Sequence, residues 1–163
     1  AAFDAGLADK ASQHYKRSLI VCREGGDKRG EANALWHLGQ IDLGAADLPA
    51  ARGRLAESLQ SFNAFGMRAE LLGCLESCAA LAHAERRPED AARLAGAIEI
   101  ARERLILRRS PIDEERWSKQ VAALRLALTE DEFEGARVDG RQWQIDDAVR
   151  GALPTAAVEA ATA

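Results

Sequence analysis

The sequence predicts an all-α fold, an α-solenoid of antiparallel helix pairs closed by a C-terminal helical cap, and three observations predict it. The 163 residues include 34 alanines and 19 leucines against 15 valines, isoleucines and threonines together. Alanine and leucine fit a helix at least cost, whereas β-branched residues favour strands. With 47% apolar and 29% charged residues, the chain has enough apolar surface to bury a core. The third observation is an internal period of 40 residues. Segments starting at Gly6, Ala46 and Arg86 stack without gaps, aligning Ala11 with Ala51 and Ala91, Tyr15 with Leu55 and Ala95, and Ser18 with Ser58 and Ile98. The same offset pairs Leu35 with Leu75, Leu38 with Cys78 and Gly26 with Gly66.

Each period reads as two helices. The first is incomplete: Ala2 to Gly6 stand where a whole leading helix belongs, so Tyr15 and Leu19 are expected to lack a packing partner. A preceding repeat of a longer chain, or a second molecule, would cover that stripe. In the middle period Asp27 suits an N-cap, and Ala34, Leu35, Leu38 and Ile41 follow at helical spacing. Gly44 to Asp47 forms a turn, Asp47 caps the next helix, and Pro49 sits in its first turn, where a missing N–H costs nothing. Leu48, Ala51, Leu55 and Leu59 make its apolar stripe, which closes at Asn63 to Gly66. The third period repeats the plan with Leu71, Leu75, Cys78 and Leu81, and then with Leu94, Ile98 and Leu105 after Pro88. These repeats occupy residues 1–110.

Residues 111–153 read as capping helices, because the end of an array must cover its last helix and turn a polar face to water. Ser110-Pro111 opens one with Trp117, Val121, Leu124 and Leu128 on its face. Thr129 and Glu132 form a capping box for the next, in which Phe133 and Val138 are expected inside with Trp143. Ile145, Val149 and Leu153 finish the set. Residues 154–163 are expected to be a disordered tail with nothing to bury.

The run LWHLG from Leu35 to Gly39, with Ala51, Leu55 and Ser58 behind it, resembles a tetratricopeptide repeat. The period of 40 and the absent closing proline depart from that pattern. They resemble the longer repeats of bacterial regulators that couple a signal-responsive NTPase to transcription, of the maltose-regulator and antibiotic-regulator type. Arg87 to Glu103 is similar to the last repeat of such regulators, and Leu128 to Leu153 to their closing segment. The resemblance implies a cytoplasmic, non-enzymatic scaffold that recognises a protein or effector, cut from the C-terminal part of a larger regulator. A small-ligand (inducer) sensor and a self-association module, a homo-oligomer formed through the truncated first repeat, are the alternatives.

Helix geometry puts Asn33, Trp36, Gln40 and Leu43 on one face, and Glu76, Ala80 and His83 on the matching face one period later. By resemblance this face lines the concave groove that receives a protein or peptide partner. Trp36 either faces that groove or packs on the neighbouring repeat. Arg102, Arg104, Arg108 and Arg109 form the densest basic cluster, either offsetting a helix dipole or docking an acidic segment.

Other chemistries find little support. The net charge of −4 argues against direct nucleic-acid binding, and no apolar run approaches a membrane span. Cys74 and Cys78 lie four apart but lack the other two ligands of a closed zinc site, so they and Cys22 are expected as reduced, buried thiols. His14, His37 and His83 are scattered, and no phosphate loop or nucleophile elbow occurs. No metal, cofactor or catalytic residue is expected.

Overall fold

Every connection in the first two-thirds of the chain is a two- or three-residue turn, and the turns recur at a fixed spacing. The computed structural model describes residues 2–153, with side chains from residue 6 on; the expected tail at 154–163 lies outside the described residues. Among the described residues there are eight helices and no strand. They are α1 (Ala2–Gly25), α2 (Lys28–Gly44), α3 (Leu48–Ala64), α4 (Arg68–Ala84), α5 (Pro88–Leu105), α6 (Pro111–Ala127), α7 (Glu130–Arg141) and α8 (Ile145–Ala152).

Helices α1 to α5 end in the same way. The first or second residue past each helix has a left-handed backbone: Gly26 (φ 70°), Ala46 (60°), Gly66 (65°), Arg86 (62°) and Ile106 (55°). Its amide bonds three residues back, and the following amide bonds five residues back, as in Asp27 N–H to Cys22 O and Asp47 N–H to Asp42 O, 2.8 and 2.9 Å. This pair of bonds satisfies carbonyls that the helix leaves open. The positions fall 20 residues apart, so the 40-residue sequence period is two near-equal halves.

After each of the first four left-handed positions the next residue leads into the following helix. Asp27 and Asp47 do both jobs: the amide closes one helix, while the carboxylate accepts from Gly30 N–H (2.9 Å) or Ala50 N–H (3.2 Å) of the next. Arg87 supplies no side-chain cap, but Pro88 behind it has no N–H to satisfy. At Leu107 the pattern stops. The chain runs on to Ser110, whose hydroxyl caps α6 by accepting from Asp113 N–H at 3.2 Å.

The chain divides into two compact units, Ala1–Ser77 and Cys78–Ala163, and the division falls within α4. In the first unit α2 packs on α1 and α3. Ala32, Leu35, Leu38 and Gly39 of α2 are buried with Ala51, Leu55, Leu59 and Phe62 of α3. Gly39 lets the Leu55 side chain come close, since a methyl there would stand 3.0 Å from it. The buried Ser58 hydroxyl donates to Ala32 O at 2.9 Å, so the polar member of the repeat register ties the two helices together. Ala2 to Gly6, expected as a remnant of a preceding helix, instead form the opening of the 24-residue α1.

In the second unit α5 packs chiefly on α7 and also on α8, with sparser contact to α6. The α5–α7 crossing is set by two glycines. A Cβ on Gly96 would collide with the Arg137 carbonyl, and one on Gly140 with the Arg93 carbonyl. Backbones approach this closely only where side chains are absent. Around the crossing Arg137 pairs with Glu99 (3.0 Å) and Arg141 with Glu103 (2.9 Å). Val138, expected inside, is 52% exposed. The buried positions of α7 are Phe133, Ala136 and Gly140, which share a face at spacings of three and four, and Val138 lies off it.

Candidate functional site

Two clusters of chemistry-bearing side chains stand out, one in each unit. The first begins with helix spacing. Trp36 and Gln40 are four apart on α2, and so are Gly73 and Ser77 on α4, and in both helices that spacing puts the pair on one face. The Trp36 indole N–H donates to Ser77 Oγ at 3.0 Å, and Gln40 Nε2 donates to the same oxygen at 3.3 Å. Ser77 is 7% exposed and hands its own proton to Gly73 O at 3.4 Å. The ring lies over Gly73, where a Cβ would come within 2.7 Å of it. Trp36 is therefore packed on the neighbouring α4 and half-buried there.

A line of rings continues from it. Trp36 stacks on His37 (centroids 5.3 Å apart, 19° between planes), and His37 stacks on Tyr15 of α1 at 4.5 Å and 19°. Phe62 of α3 meets Trp36 edge-on at 5.8 Å, and the exposed His14 meets Tyr15 edge-on at 5.4 Å. His37 Nδ1 lies 3.3 Å from Gln40 Oε1, so the amide joins the imidazole to the Trp36–Ser77 pair. Tyr15, expected to lose one packing partner, is half-buried and stacks on His37. Among the described residues the exposed large apolar side chains of α1 are Leu7, Ile20 and Val21, and Leu19 is half-buried.

The remaining residues of the expected groove face are dispersed in character. Asn33 is half-exposed, with its amide donating to Arg29 O at 3.1 Å. Leu43 and Glu76 are half-buried, and so are Ala80 and His83 further along α4 in the second unit. The structure brings Trp36 and Gln40 together around Ser77. Sequence reasoning missed Ser77, His37 and Tyr15 as members of this cluster. The signal for Ser77 was its place four residues after Gly73, the small residue on which an indole can lie.

The second cluster is at the α5–α6 corner. A hollow of about 490 Å3 is lined by Glu99, Glu103, Arg102, Arg108 and Arg109 with Leu107 and neighbours. Three of the four arginines in the basic cluster thus share one wall, while Arg104 sits exposed in the last turn of α5. Arg102 Nη1 donates to Leu107 O at 3.4 Å, bracing the turn. Arg109 lies over the buried Trp117 ring at 4.6 Å and pairs with Glu114 at 3.3 Å. The glutamates are matched by arginines from α7, and the hydrogen bond from Arg141 holds the Glu103 carboxyl below its ordinary range. Ile106 stands at the lip, 84% exposed.

Cys74 and Cys78 are buried, and Cys74 Sγ lies 3.7 Å from Leu55 O. Cys22 is half-buried rather than buried, with its sulfur 3.9 Å from the Asp27 carboxylate. Among the described residues no three His, Cys, Asp or Glu side chains are grouped to hold a metal ion. Among them, too, no helix is long and apolar enough to cross a membrane. Fold and sites together define an all-α protein of short-turned helical hairpins. No family model, no curated protein and no solved structure matches the chain.

Proposed function

We propose that this chain is a non-enzymatic recognition scaffold, a tetratricopeptide-like α-solenoid segment of a larger bacterial signal-responsive transcriptional regulator. The observation that carries the scaffold reading is the set of left-handed turns at 26, 46, 66, 86 and 106. A fixed 20-residue helix-and-turn unit is what an array needs, because each hairpin then meets its neighbour in the same way. The link to a regulator rests on the sequence resemblance of Arg87–Glu103 and Leu128–Leu153. A protein or peptide partner would lie along the α2 and α4 faces, where Asn33, Leu43 and Glu76 flank the Trp36–Ser77–Gln40 cluster. In this reading the indole is the packed floor of the face, and its half-exposed neighbours make the contacts. A partner that prefers one arrangement of these helices would bias the regulator between states.

A photo-crosslinking amino acid placed at Asn33 or Leu43 in the full-length protein within its native cell tests this. Partner adducts from those sites and not from Gly53, an exposed position of α3 with open space around it, are the expected result. Adducts from Gly53 alone would contradict the assignment. Self-association is the second reading, favoured by Leu7, Ile20 and Val21 on α1 at 52%, 57% and 66% exposure. Sedimentation that stays monomeric at high concentration would remove it.

A further inference from the structure

We propose that the hollow at the α5–α6 corner docks an acidic peptide segment bearing an apolar anchor, with Ile106 as the apolar contact and Arg108 as the cation.

Residue 106 differs in kind from its equivalents. It occupies the left-handed position of the fifth turn, where the four earlier turns carry Gly26, Ala46, Gly66 and Arg86. A left-handed backbone is least tolerable for a β-branched side chain, because Cβ crowds the carbonyl. Ile106 therefore gains nothing for the turn. At 84% exposure it gains nothing for the core either. A strained residue that holds a large apolar side chain in water is the kind of outlier from which a binding role is inferred. Ile112, 72% exposed near the start of α6, adds apolar surface a few residues on.

Each glutamate of the hollow is already matched: Glu99 by Arg137, Glu103 by Arg141 and Glu114 by Arg109. Arg108, which lines the hollow, is exposed and has no salt-bridge partner among the described residues; Arg104 lies outside the lining and its charge acts on Glu103. With its glutamates matched, the hollow thus presents Arg108 beside an apolar lip, on a chain whose net charge is −4. That combination complements carboxylates spaced around an apolar side chain. A phosphate backbone would call for a broad basic face, which a hollow with three glutamates does not offer.

The hollow lies within the second unit, so its test is independent of crosslinking from α2. Displayed random peptides are selected on the chain, and the enriched sequences are labelled with fluorescein for anisotropy titration. Enrichment of peptides with acidic residues around an apolar one is expected. Their affinity should fall about tenfold or more in Ile106→Gly, and similarly in Arg108→Glu. Ile106→Gly relieves the turn, so its melting temperature should rise or hold while binding is lost, which separates a contact from a folding defect. Enriched peptides without acidic residues, or peptides that bind both variants like the parent, would overturn the proposal. So would polyuridine RNA that outcompetes the best peptide at matched salt.

Discussion

At Ala46 a single methyl group works against the turn it occupies. Its φ of 60° is the conformation that glycine supplies without penalty at Gly26 and Gly66. Ala46→Gly is therefore expected to stabilise the chain by about 0.5–1 kcal/mol, read as a higher denaturation midpoint. A lower midpoint would mean that the turn is not left-handed. Trp36 makes the opposite case. Its ring covers Gly73 and its N–H serves a serine that is 7% exposed. Trp36→Ala should cost about 2–4 kcal/mol. Trp36→Phe should cost less, about 1–2 kcal/mol, because Ser77 keeps its bonds to Gln40 and Gly73. Chemical denaturation checks both. The sequence placed Trp36 on a definite helix face, but it left open whether the face met a groove or a helix. Deciding that required knowing that Gly73 lies opposite, which is a tertiary fact.

Among the elements, α7 was the least legible. Its start could be read directly, because Thr129 and Glu132 form the capping box: Glu132 N–H bonds Thr129 Oγ1 at 3.3 Å, and Thr129 N–H bonds the Glu132 carboxylate at 2.8 Å. Its facing was misread, because hydrophobicity pointed to Val138 while packing is governed by what α5 allows. The crossing at Gly96 and Gly140 leaves no room for Cβ, and so selects the face bearing the smallest residue. Gly140→Ala should destabilise by about 2–3 kcal/mol through forced separation of α5 and α7. Gly135→Ala, on the same helix with open space around it, should stabilise by up to about 1 kcal/mol. Equal effects of the two substitutions on thermal melting would contradict the crossing. The helix boundaries of α2, α3, α5 and α6, by contrast, were written in Asp27, Asp47, Pro88 and Ser110, since capping is local chemistry.

For the molecule as a whole, acid stability follows from its carboxylates. Thr129 backbone N–H lowers the Glu132 carboxyl from its ordinary 4.5, Gln144 N–H does the same for Asp147 from 3.8, and hydrogen bonds from Arg23 and Arg141 lower Glu31 and Glu103. In each case the unfolded chain takes the proton first as pH falls. The stability these groups supply is present above about pH 4.5 and is lost as pH drops through their lowered folded values. Asp42 acts in the opposite sense. Burial raises its carboxyl above 3.8 despite Arg54 at 2.5 Å, so the folded state favours its protonation and partly offsets the acid loss. Denaturation midpoints should therefore decline progressively below pH 4.5. Removing the Glu132 contribution by Glu132→Gln should flatten that decline.

The period was legible at the same scale, though only in part. The sequence repeats at 40 residues because the helices of a pair have different neighbours and so different apolar patterns. The 20-residue spacing lies in backbone conformation at 26, 46, 66, 86 and 106, where Gly, Ala, Gly, Arg and Ile share a φ but no side-chain chemistry. The array reading depends on that spacing, and duplication of one period tests it most directly. Residues 27–66 begin and end at equivalent turns, so a tandem copy inserted after Gly66 joins a turn to its like. If the chain is an array, the enlarged protein should stay helical by circular dichroism and melt at or above the parent temperature, because a repeat and its interface have been added. Loss of cooperative melting, or aggregation of the enlarged protein, would contradict the account.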